Sequence, residues 1–192
     1  MNRVTLYTRK TVALKISLFK QLSIKQLANI RLLSYNIGML KNLNQASSYL
    51  ITPIQSYGCY FLCLAEASPI VFKGEEGAQR LNGIWVKAVE DGLISGDINH
   101  DGDVDDDGEA EIQKATELAR KYFKLNVHYD GIHHKGDELI PANVKLIIGQ
   151  FWWKGGHFVL INRLKKVTFD SYGKSNTVRN GYLKSMRWFY AD

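Results

Sequence analysis

The 192 residues, 45% of them hydrophobic and 22 of them aromatic, fit one folded domain and exclude a disordered chain. The net charge of +6 is uneven: residues 1–50 hold eight Lys and Arg and no acid, which leaves 17 basic against 19 acidic residues in the rest. The body is therefore mildly acidic and no nucleic-acid partner is expected for it. No apolar run approaches the ~20 residues that span a bilayer, so no transmembrane segment is expected.

In chain order, residues 1–45 mix Leu, Ile, Lys and Asn without a sustained period and read as a basic leader, disordered or beginning at a start codon assigned too early. The apolar stretch 11–19 is broken by Lys15 and leads to no convincing cleavage site. The cytoplasm is the expected location, and export without a clear signal peptide is the alternative. The domain proper is read as residues 46–192.

The stretch 46–68 opens on small and polar residues, runs into an apolar helix-favouring segment and is stopped by Pro69. Cys59 falls at the start of this helix, directly after Gly58, which is read as permitting a sharp turn. The unpaired N–H groups and the positive dipole end there favour a thiolate. Gln55, four residues upstream, is placed to offer N–H donors to an oxyanion. Cys63, a full turn further in, reads as a core residue, and two cysteines four apart make a poor disulfide.

Residues 77–95 set Leu81, Ile84, Trp85, Ala88 and Val89 on one helical face, ending near Gly92. A second helix is expected over 109–124, with Ile112, Ala115, Leu118, Ala119 and Phe123 inward. Between them, Asp97, Asn99, Asp101, Asp103, Asp105 and Glu109 follow a calcium-loop spacing, with Gly102 at the sharp bend. Gly108 stands where the bidentate Glu is usual. The segment is either a structural calcium site or a solvated acidic turn capping the next helix. No cofactor is required otherwise.

From about residue 125 the period changes. Residues 125–128 and 144–153 read as strands, the second nearly all apolar. His128, His133 and His134 around Asp130 read as a surface loop in preference to a metal site. Residues 156–162 form the next strand, with His157, Val159 and Ile161 on one face. If the hairpin loop holds two residues, 164 and 165, Asp170 lies opposite Val159, one diagonal step from His157; a four-residue loop keeps that parity, and an odd loop or a bulge breaks it. Asn162 points to the other face. A helix-start Cys, a strand-start His and an Asp on the following strand supply nucleophile, base and orienter.

On these residues the chain from about 50 onward resembles the papain-like cysteine peptidase superfamily. The matching parts are Gln55-x-x-x-Cys59 heading a helix, Gly156-His157-Phe158-Val159-Leu160, and Phe169-Asp170-Ser-Tyr-Gly173. The nearest likeness is to the bacterial branch that includes peptidases trimming double-glycine bacteriocin leaders. The Tyr57–Phe61 and Asp170–Tyr190 segments also look like a small uncharacterised family of plasmid- and prophage-borne bacterial proteins. The resemblance implies an α+β fold, a helical N-terminal half packed on a mainly antiparallel sheet, and a thiol-dependent peptidase or amidase. It gives Cys59 the attack, His157 the base, Asp170 its orientation and Gln55 the oxyanion hole. Tyr60 and Phe61 follow the cysteine where many relatives have Gly and Pro, a departure that bears on the groove and on activity. Peptides and peptidoglycan cross-bridge peptides are the implied substrates, and a non-catalytic binding module on the same fold, using the acidic loop or Trp152–Trp153, is the rival.

Overall fold

In a computed structural model that describes residues 40–95 and 111–192, the main sheet is built on its last strand, Tyr182–Ala191 (β10), which three other strands flank. The strands before it are Leu40–Lys41 (β1), Phe72–Lys73 (β2), Ile94–Ser95 (β3), Glu111–Ile112 (β4), Val127–Tyr129 (β5), His134–Lys135 (β6), Val144–Trp152 (β7), Gly156–Ile161 (β8) and Val167–Asp170 (β9). Six of them form an antiparallel sheet in the order β5-β10-β7-β8-β9, with β6 also on β10. The helices are Thr52–Tyr57 (α1), Cys59–Ala67 (α2), Gly74–Glu90 (α3), Ala115–Lys121 (α4) and Asn176–Asn180 (α5). The architecture is α+β. No helix among the described residues is long and apolar enough to cross a membrane.

Alternation along β8 divides the core. Phe158 and Leu160 face the helices, where Phe61, Leu64, Leu81, Trp85, Leu118 and Phe123 form the larger cluster. Val159 and Ile161 face the other way, into a smaller cluster with Ile147, Met186 and Trp188, against which Val178 of α5 packs. Phe61 anchors the helical side, edge-on to both Trp85 and Phe123 at 5.1 Å. A fully buried aromatic of this kind contributes roughly 1.5–3 kcal/mol.

Three sequence expectations are corrected here. Residues 40–45, read as the end of the leader, belong to the fold: β1 pairs in parallel with β2, and Leu40, Leu43 and Gln45 are buried. The helix expected over 109–124 is shorter, because residues 111–112 pair with β3 instead and the Leu93 carbonyl takes the N–H groups of Gln113 and Lys114. Phe123 is buried beyond its C-terminal end. The acidic segment is therefore flanked by two paired strands, not by two helices. Its candidate ligands Asp97, Asn99, Asp101, Asp103, Asp105 and Glu109 lie outside the described residues.

Candidate active site

The helical stretch before Cys59 is split in two, and the split is caused by side chains from elsewhere. In an unbroken helix the Gln55 carbonyl would accept the Cys59 N–H. Here it accepts the Gln45 side-chain amide at 3.0 Å and the Tyr172 hydroxyl at 2.9 Å. Helix α2 restarts with Leu62 N–H donating to the Gly58 carbonyl at 2.8 Å. The Cys59 N–H is thus among the first-turn donors that have no intrahelical acceptor. Gly58 itself has an ordinary φ of −77°, so it is not needed for an unusual turn. Its smallness matters, because a Cβ there would come within 2.5 Å of the Ile54 carbonyl oxygen.

The strands supply the other half. Strand β9 pairs no further along β8 than Val159, and the N–H of Phe158 goes instead to the Cys59 sulfur at 3.5 Å. His157, on the neighbouring position, is 5% exposed. Its Nε2 bonds Asp170 Oδ1 at 2.9 Å, which leaves Nδ1 for the Cys59 thiol beside it. Asp170 sits opposite Val159, as the sequence expectation requires. The route to that register differs, however. The turn is odd, with residues 163–165 between the paired Asn162 and Lys166, and Lys165 adopts a φ of 58°. A bulge at Thr168 then restores the parity, so two irregularities cancel. Asn162 caps that turn, its Oδ1 accepting the N–H groups of Leu164 and Lys166.

Asp170 is held by three further features. Its Oδ1 also accepts Tyr172 N–H at 3.0 Å, its Oδ2 accepts Ser175 N–H at 2.8 Å, and a tight turn follows at Gly173, whose φ is 77°. Burial raises a carboxyl pKa, but the His157 and Ser175 hydrogen bonds outweigh it and bring Asp170 down to about 2. Burial likewise lowers an imidazole, yet the Asp170 carboxylate and the Cys59 thiol raise His157 to about 9. The Tyr172 ring lies 5.4 Å from the imidazole and covers one side of it. Cys63 is fully buried, and burial pushes its thiol well above the ordinary range.

Gln55 is engaged differently from the expectation. Its amide nitrogen donates to the carbonyls of Ser47 at 2.8 Å and Leu50 at 2.9 Å, which uses both of its hydrogens. It braces the turn before α1 and offers nothing to the sulfur. No family model, curated protein or solved structure matches the chain.

A residue that the sequence reading left in the leader completes the arrangement. Gln45, 1% exposed, donates to the Gln55 carbonyl and accepts the Ser171 hydroxyl at 2.7 Å, while its N–H donates to the Ser171 carbonyl at 2.8 Å. It ties the residue after Asp170 to the turn before Cys59. Nothing local in the sequence marks it, since its partners lie 10 and 126 positions away. Among the described residues no three His, Cys, Asp or Glu side chains gather as a metal-binding group. His134 is bonded to Asp130 at 2.7 Å and Glu138 at 3.0 Å, and His128 to Asp192 at 3.1 Å.

Proposed function

We propose that the protein is a cysteine hydrolase of papain-like design that cleaves an amide bond in a peptide through Cys59, His157 and Asp170. One observation carries the reading: two groups of β8, one of them held by a carboxylate of β9, meet the sulfur at the start of α2. The Phe158 N–H points at it, the imidazole of His157 lies beside it, and Asp170 holds that imidazole from behind. Each has a bland use alone, but a merely structural cysteine needs neither a buried imidazole nor a carboxylate fixing that imidazole.

In the proposed reaction the Cys59 sulfur attacks the carbonyl carbon, a C–S bond forms, and the carbonyl electron pair moves onto oxygen. The Cys59 N–H donates to that oxygen, a role worth about 10²–10³ in rate for one such donor. The C–N bond then breaks as the leaving nitrogen takes a proton from Nδ1 of His157. Water attacks the thioester, His157 takes up its proton, and the C–S bond breaks to return the thiolate. A His157 pKa of about 9 suits this cycle, because the ring carries the proton to be donated at neutral pH. Gln55 and Gln45 act by position, holding the turn from which Cys59 projects.

A simple activated acyl donor tests the reading. With p-nitrophenyl acetate, a burst of nitrophenol should accompany an acetyl adduct on Cys59 in mass spectra, absent in Cys59→Ala. Acetylation of Cys63, or of neither cysteine, would refute it.

A further inference from the structure

On the helix side of β8 lies a cavity of about 320 Å³, whose lining includes Tyr60, Phe158, Gln150, Arg187, Glu111 and His133 but neither Cys59 nor His157. Tyr60 is the residue after Cys59, and Phe158 is the residue whose N–H reaches the sulfur. The cavity is thus set one residue along from Cys59 on α2 and from His157 on β8, the place of a substrate side chain flanking the reacting bond. The Tyr60 and Phe158 rings stand 5.0 Å apart and form one wall.

Two polar groups in the wall lack the partners that burial demands. Arg187 is 6% exposed, yet no carboxylate lies against it among the described residues. Its hydrogen bond is Nη1 to Ser185 Oγ at 2.5 Å, and its guanidinium lies over the Phe158 ring, 5.0 Å from the centroid. Ser185 in turn donates to Gln150 at 2.9 Å, so the arginine is held in place by neutral groups only. Asp130 bonds His134, and Glu111, which lines the same cavity, accepts the Gln113 amide at 3.1 Å and makes no ion pair with Arg187. The Tyr60 hydroxyl is buried and has no hydrogen-bond partner. Burial pushes Arg187 below, and Tyr60 above, its ordinary range. A buried guanidinium keeps most of its five donors to satisfy, and a lone buried charge is costly unless something pairs with it.

Resting on the hydrolase reading, we propose that this cavity is the subsite that selects the substrate, and that it takes a carboxylate side chain, of Glu or Asp, onto Arg187 and Tyr60. The planar guanidinium meets a carboxylate through two parallel N–H bonds, and the Tyr60 hydroxyl can donate to the same oxygens. The Phe158 ring and its Tyr60 neighbour pack against the methylene stem. A neutral amide of the same shape places an NH₂ against the guanidinium and leaves Arg187 unpaired, which is how such a site rejects it.

The test is protection of Cys59 from iodoacetamide by pools of acetylated tetrapeptides that differ only in Glu against Gln. The Glu pool should half-protect at a concentration about 10- to 100-fold lower than the Gln pool, the range expected when a charged hydrogen bond is lost. Arg187→Met should abolish the difference, Arg187→Lys should restore part of it, and Tyr60→Phe should narrow it. Equal protection, protection by neither pool at millimolar concentration, or preference for Gln overturns the subsite. The wild-type comparison decides this even if Arg187→Met does not fold. Failure of the hydrolase reading looks different: Cys59 would then alkylate slowly with no peptide present, whatever the pools do.

Discussion

Replacing Asp170 by asparagine removes the carboxylate that both orients and charges His157. Asp170 accepts three N–H groups, from His157 at 2.9 Å, Tyr172 at 3.0 Å and Ser175 at 2.8 Å. Asparagine keeps one acceptor oxygen and turns the other into a donor, so at least one of those N–H groups faces another. His157 stands at about 9 against an ordinary 6.5. That rise, at ~1.36 kcal/mol per unit, favours the imidazolium by about 3 kcal/mol, shared between Asp170 and Cys59. Asp170→Asn should therefore lower the His157 pKa by about one to two units, read from the ring protons by NMR titration. A raised imidazole contributes fully below its ordinary value, and the contribution is lost as pH rises through about 9. Asp170, depressed to about 2, contributes fully above its ordinary 3.8 and loses its part as pH falls through about 2. The melting-temperature gap between wild type and variant should be widest between about pH 4 and 6.5, at roughly 6 °C or more, and should narrow towards pH 9. A His157 that titrates at the same pH in both proteins would refute the reasoning.

Gln45→Ala removes two side-chain hydrogen bonds and leaves the Ser171 hydroxyl buried without its acceptor, so thermal unfolding should show a loss of about 2–3 kcal/mol together with slower Cys59 alkylation. Gln55→Ala separates two roles: as a brace it costs about 1–2 kcal/mol and spares turnover, whereas an oxyanion donor would cost about 10²–10³ in rate with little change in stability. Gly58→Ala forces a methyl towards the Ile54 carbonyl, so we expect a loss of about 1–3 kcal/mol in chemical denaturation and a Cys59 displaced from Phe158 N–H.

Strict alternation makes the shared face legible once Asp170 is opposite Val159, but that register was expected from a two-residue loop that the chain does not form. The loop that does produce the register was not legible, since an odd turn and a bulge at Thr168 cancel and leave the same parity as an even turn. The two amphipathic stretches 77–95 and 109–124 were read by one rule with different outcomes. In α3 Leu81, Trp85 and Ala88 of the expected stripe are buried and Ile84 packs against them, while Val89 is exposed. Ile112, at the same kind of spacing, joins β4 because Ile94 offers a strand to pair with, a long-range contact that periodicity cannot register. Gln45 and Gln55 show the same limit for the site. Spacing put Gln55 near the sulfur, but local carbonyls at Ser47 and Leu50 take its amide. Gln45, in a stretch without period or acids, is a tie between the two halves that only the folded chain creates.

The central claim is that His157 makes Cys59 a nucleophile, and alkylation of the two cysteines measures it directly. With iodoacetamide at about pH 6–7, Cys59 should react far faster than the buried Cys63, and His157→Ala should slow Cys59 specifically, because it removes the cationic partner of the thiolate. Equal rates for Cys59 and Cys63 in the folded protein, or a Cys59 rate indifferent to His157→Ala, would contradict the account.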